Sequence, residues 1–144
     1  MAFPGIPTSL TLEIVTPDRA LVTEQVDEVE LPGSGGYFGV LPGHAPLLAS
    51  LQVGEFWYRK GQEKYYLAIA FGFVEVLPDK VTVLAQIAER AEDIDQRRAE
   101  KAKARAEERL TPPHKSDLDF ERARVAMMKS LIRLQVASRA RTRV

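Results

Sequence analysis

The side chains best suited to chemistry are cations in the C-terminal third of the chain. Arg98 and Arg105 stand seven apart, and Arg122, Lys129 and Arg133 follow at intervals of seven and four. At roughly 100° per residue, each set falls on one face of a helix. Two such rows turned towards each other would line a slot with charged donors, suited to a polyphosphate. The same residues also read as a solvated surface laced by pairs such as Asp93 with Arg97 and Asp119 with Arg122, because helical residues three or four apart are neighbours. Composition alone favours this second reading.

Other chemistry is poorly supplied. The chain has no cysteine, which excludes a disulfide framework and thiolate metal ligands. His44 and His114 are far apart and without carboxylates at ligand spacing, so no metal centre is expected. Gly33-Ser34-Gly35-Gly36 lacks the Lys-Ser/Thr of a phosphate loop and precedes no helical pattern, so it reads as a turn. No serine stands in a Gly-x-Ser-x-Gly elbow, and no acid pair has a nucleophile beside it; catalysis by this chain is not expected. Nucleic-acid binding is not expected either. Acids interleave with the bases, net charge is zero over 144 residues, and aromatics such as Trp57, Tyr65 and Phe71 lie in the acidic half.

That acidic half ends near residue 90. Up to Arg90 there are eleven acids and six bases; beyond it there are nine acids and fourteen bases. The halves would attract each other on docking, or the basic half would seek an acidic partner. The opening residues lack the basic start and long apolar run of a signal peptide, and no apolar stretch approaches the roughly 20 residues that span a bilayer.

The elements that must position the cations change character at the same place. Leu10, Leu12 and Ile14 alternate with Thr11, Glu13 and Val15, a half-buried strand closed by Thr16-Pro17-Asp18. Segments 53–59 and 64–70 flank a turn at Lys60-Gly61-Gln62-Glu63, and segments 72–77 and 81–87 flank Pro78-Asp79-Lys80. The spacing predicts a β-sandwich of about ten short strands over residues 1–89. Segment 31–51, with its glycine-rich turns and Pro42-Gly43-His44-Ala45-Pro46, reads as an irregular contact loop with an apolar exit at Leu47-Leu48.

Residues 91–110 are almost wholly strong helix formers, with Asp93 or Asp95 placed to cap the first turn. Pro112-Pro113 ends that helix, and Ser116, with Asp119 three residues on, caps a second. Ala99, Ala102, Ala106 and Leu110 make a narrow face suited to close helix approach. The second helix carries two apolar stripes, one from Phe120 to Leu134 and one from Val125 to Val136. The short connection predicts an antiparallel two-helix hairpin over residues 90–144. Its second arm has more apolar surface than the first can cover, so it should also dock on the sandwich or on another protein.

Gly39-Val40-Leu41-Pro42-Gly43-His44-Ala45-Pro46-Leu47, Val81-Thr82-Val83-Leu84-Ala85 and Ala88-Glu89-Arg90-Ala91-Glu92-Asp93-Ile94-Asp95, in a chain that runs sandwich then hairpin, resemble the epsilon subunit family of F-type ATP synthases. The resemblance covers practically the whole chain. It implies a non-catalytic central-stalk subunit that couples proton-driven rotation to ATP synthesis, with gamma and the c-ring bound by the sandwich. It further implies a hairpin that alternates between a compact state and an extended one along gamma, where it inhibits ATP hydrolysis and meets the alpha and beta subunits. The implied location is the cytoplasmic face of a bacterial membrane, reached only through the complex. The ring contact would lie in residues 36–44, with Tyr37 and His44 as its side chains.

Some members of that family bind ATP through Ile or Leu, Asp, two free positions, Arg and Ala, which Ile94-Asp95-Gln96-Arg97-Arg98-Ala99 matches in full. They add an acid, matching Glu89, and two basic residues, matching Lys129 and Arg133. By that resemblance Arg98 and Arg133 would hold phosphates, and Glu89 and Asp95 would lie nearer the adenosine or orient the arginines. Lys129 keeps the charge of the family's arginine and loses its bidentate fork. No cofactor is required; ATP would be a regulatory ligand. The competing class is a free-standing sandwich that shows a basic hairpin to some other acidic partner, and co-purification with a gamma-like subunit separates the two.

Overall fold

The computed structural model describes residues 5–111 and 116–140; Pro112, Pro113 and His114 lie outside them. Seven strands are present among the described residues: β1 (Leu10–Val15), β2 (Ala20–Val26), β3 (Glu28–Gly33), β4 (Gly36–Val40), β5 (Leu47–Lys60), β6 (Glu63–Val76) and β7 (Lys80–Arg90). They form one sheet in the order β2-β1-β7-β6-β5-β3-β4, antiparallel except for β1 beside β7. The two edge strands feed the same core, Val22 and Val26 from β2 and Val40 from β4, together with Leu10, Leu12, Ile14, Phe56 and Leu67. A sheet whose opposite edges share one core must curl over itself, and that curl makes the sandwich.

The strand count corrects the expectation of about ten. β5 and β6 each run 14 residues, and their ladder continues from Leu47↔Val76 to Lys60↔Glu63. Gly54 and Gly72 lie inside these strands. Gly72 (φ +143) lies against the Leu84 carbonyl, where a Cβ would collide, so glycine there permits close strand approach. Segment 31–51 is also more regular than its composition suggested. It holds the β3–β4 hairpin, with Gly33 paired to Gly36, and the start of β5; only the two turn residues 34–35 and residues 41–46 lack strand structure.

After β7 the chain makes a short 3-10 turn (Ala91–Asp93) and enters α1 (Gln96–Leu110). The helix therefore starts five residues later than its composition suggested, because Ile94 stays extended with its side chain buried. Asp95 is the cap, accepting the Arg98 N–H at 3.1 Å. Ser116 caps α2 (Asp117–Ala137) by accepting the Asp119 N–H at 3.1 Å. The two helices meet through Ala99 and Ala106 on one side and Ala123 and Ser130 on the other, all buried. No helix among the described residues is long and apolar enough to cross a membrane.

Candidate functional site

The surplus apolar face of α2 lies on the sandwich. Strand alternation sends Leu67 and Ile69 inwards and leaves Ala68 and Ala70 on the outer face, where the hairpin covers them. Val136 and Ala137 pack on Ala68, Ala91 and Ile94, with Tyr66, Ile132 and Ala140 around them. Small residues on both sides let the helix approach closely.

Charges bracket this contact. Pairing places Glu55, Ala68 and Glu89 side by side on β5, β6 and β7, so two strand spacings, about 10 Å, separate the glutamates. Arg133 lies on α2 and Arg139 in the turn that follows it, six residues on, about 9 Å at the helical rise. The two spans match, and the helix lays one arginine on each acid. Arg133 Nε is 2.7 Å from Glu89 Oε1, out of line for a hydrogen bond, while its Nη2 donates to Oε2 at 3.2 Å. Arg139 Nε donates to Glu55 Oε1 at 3.1 Å, and Gln135 Nε2 donates to Oε2 at 3.2 Å. The Arg139 guanidinium also sits 5.2 Å from the Tyr66 ring centre. The attraction expected between acidic and basic halves is thus realised at two named pairs.

Glu55, Gln135 and Arg139 were not among the residues singled out by sequence. One signal pointed to Glu55: an acid between Gly54 and Phe56 in an apolar strand needs a partner on the outer face.

Of the residues matched to nucleotide binding, Glu89, Lys129 and Arg133 are brought together. They edge a cleft of about 230 Å³ between sheet and hairpin, with Val53, Ala70, Ile87, Ala126 and Ile132 among its apolar walls. Ile94 and Asp95 line a separate hollow beside Ala137 and Ala140. Ala99 is fully buried in the helix pair. Arg98 is exposed and lines neither space. Arg122 and Lys129 line a shallow hollow that shares Ala126 and Lys129 with the cleft. No group of three or more His, Asp or Glu able to hold a metal occurs among the described residues.

Tyr37 and His44 occupy different places. Tyr37, 56% exposed, lies across Gly54, where a Cβ would come within 2.6 Å of its hydroxyl, and that hydroxyl accepts the Glu55 N–H at 3.0 Å. His44 sits in the turn held by Gly43 N–H donating to the Pro78 carbonyl at 2.7 Å. Glu55 therefore touches Tyr37 through its backbone and the hairpin through its carboxylate.

The geometry defines a two-part protein, a sandwich that carries a helical hairpin on one outer face through small and charged contacts. Two family models cover it in the same order: the ATP synthase delta/epsilon chain β-sandwich domain matches residues 9–91, and the long α-helix domain of that chain matches residues 92–138. The chain belongs to the ATP synthase delta/epsilon family. It is 50% identical over 130 residues to ATP synthase epsilon chain 2 of Syntrophotalea carbinolica, covering 90% of this chain and 94% of that one. It is 49% identical over 132 residues to the epsilon chain of Nitratidesulfovibrio vulgaris, covering 92% and 98%. In fold it is similar to a chain of the Euglena gracilis mitochondrial ATP synthase, with a TM-score of 0.81 at 22% identity over 97% of this chain and 87% of that one.

Proposed function

We propose that this chain works in the central stalk of a bacterial F-type ATP synthase as a non-catalytic subunit, coupling proton-driven rotation to ATP synthesis and restraining ATP hydrolysis through its hairpin. The observation that carries the regulatory part is the dock of α2. It rests on a small apolar cluster around Val136 and Ala137, separate from the sandwich core, and on two ion pairs, so it can open without disturbing that core. Leu118 and Leu131 on α2 remain 60% and 46% exposed in the docked state, apolar surface available to another subunit. The basic hairpin then meets acidic faces of the alpha and beta subunits.

On the sandwich, Phe73 pairs with Leu84 and both are more than half exposed, with Leu48 nearby at 75%. This apolar row is the face we assign to gamma. The 36–44 segment, with Tyr37 and His44, is assigned to the c-ring at the cytoplasmic side of the membrane. The Tyr37 hydroxyl holds the backbone of Glu55, and the Glu55 carboxylate holds Arg139; a ring contact that displaces Tyr37 would loosen the hairpin. Deleting the hairpin should raise ATP hydrolysis by the assembled enzyme, and unchanged hydrolysis would sink the inhibitory role. A chain that does not co-purify with gamma would sink the stalk role.

ATP enters this scheme as a ligand that favours the docked hairpin. Lys129 and Arg98 supply the positive charge that no acid side chain pairs among the described residues, and Arg133 supplies more if phosphate displaces Glu89. Calorimetric titration of ATP into the chain, beside Arg98→Ala and Arg133→Ala, tests it. Saturable binding lost in both variants is the expected outcome; no binding at millimolar ATP removes the sensor and leaves the stalk role standing.

A further inference from the structure

The docked hairpin leaves the seam unfilled. The cleft of about 230 Å³ has a floor of Val53, Ala70 and Ile87, paired across β5, β6 and β7, and a roof of Ala126 and Ile132. Alanine in both floor and roof keeps the space open. An apolar cavity of about 150 Å³ takes a benzene ring, so this one takes a chain of about eight or nine carbons.

Its charge is one positive unit over hydrocarbon. Glu89 and Arg133 neutralise each other. Lys129 also lines the cleft and has no carboxylate partner among the described residues; its ammonium lies 5.7 Å from the centre of the Phe71 ring. Phe71 holds a left-handed backbone (φ 61) that a bulky residue seldom adopts, and its ring sits under that ammonium. One uncommitted cation beside an apolar floor suits a single negative charge carrying a hydrocarbon tail.

We propose that the seam between sheet and hairpin binds a medium-chain carboxylate, with its headgroup on Lys129 and its tail between Val53, Ala70 and Ile87 below and Ile132 above. The site exists only while α2 lies on the sheet, so occupancy favours the docked hairpin by mass action. It requires the docked hairpin and does not require the nucleotide reading.

The test is a titration of sodium octanoate, kept below micelle-forming concentrations, into the full chain while amide and methyl resonances are followed. Saturable shifts at Val53, Ile87 and Ile132 are expected. Binding should weaken about tenfold in Lys129→Gln and about tenfold for octanol in place of octanoate, the loss of one charge-assisted contact. Ile87→Trp, at a floor position outside the sandwich core and 40% exposed, should fill the cleft without disturbing the core and abolish binding. Absence of saturation, or shifts centred on Phe73 and Leu84 instead, would overturn the site. Equal binding of octanol and octanoate would overturn the headgroup assignment. ATP titrations are scored separately, so loss of the nucleotide reading leaves these outcomes unchanged.

Discussion

The sandwich and the hairpin dock are built from different side chains. The sandwich fully buries Tyr58, Phe56, Leu10, Leu12, Ile14, Leu31 and Leu67, each worth roughly 1.5–3 kcal/mol by apolar burial. Of the helix residues that are buried, all but Val136 are small, namely Ala99, Ala106, Ala123, Ser130 and Ala137, where a methyl group contributes less than about 1 kcal/mol. The sandwich is therefore a permanent body. The hairpin is attached by shape and charge, at a free energy that a partner or ligand can match.

The largest expected effect lies on the sandwich side. Phe56→Ala should cost about 3–5 kcal/mol, seen as a lower urea midpoint for strand and helix signals together, because the dock has no stable platform once the sheet opens. Ala106→Leu comes next. Forcing a larger side chain between α1 and α2 should cost about 1–3 kcal/mol and separate the helices while the sandwich keeps its midpoint. A fall of that midpoint in step with helix separation would show that the two parts form one cooperative unit, against the comparison.

These contrasts were partly legible in the sequence. Ser116, Asp95 and the Ala99–Ala106 face follow from local rules, and local rules are what sequence carries best. The strand from Lys64 was divided before Gly72; in the folded sheet Gly54 and Gly72 are points of close approach to Pro32 and Tyr37 and to Leu84, facts that depend on distant strands. The 31–51 segment looked irregular for the same reason. Glu55 meeting Arg139 and Glu89 meeting Arg133 join residues 84 and 44 positions apart, and the cleft between sheet and hairpin belongs to neither element alone. The rows of cations were visible, but which of them share a space was not. Arg133 lines the cleft and Arg98, exposed at the start of α1, does not.

The ion pairs give the next effect. Glu89→Gln, at a pair whose side chains are 27% and 23% exposed, should weaken docking by about 1–2 kcal/mol, between the surface and buried limits. Glu55→Gln should cost less, since Arg139 is 47% exposed and well screened. Raising salt should loosen the native hairpin and leave the Glu89→Gln variant less affected. A spectroscopic distance between α2 and β6 measures this, and a salt response unchanged by the substitution would remove the pair from the latch.

The smallest effect is confined to alkaline pH and to the sandwich. Burial, helped by the Glu24 carboxylate and opposed by Arg90, raises the Tyr58 phenol above its ordinary value of 10.0. A raised folded value means that above about pH 10 the unfolded chain has released the proton while the folded chain still holds it. Protons then favour the folded state, and stability falls as pH rises through that range. Tyr58→Phe should flatten this alkaline fall in the urea midpoint while leaving the salt response of the hairpin as it was. Base would then act on the core through a buried phenol and salt on the dock through partly exposed ion pairs. If the alkaline fall persisted unchanged in Tyr58→Phe, the core would owe its sensitivity to another group. If salt moved the sandwich midpoint as much as the hairpin distance, the two parts would not be separable in the way their side chains imply.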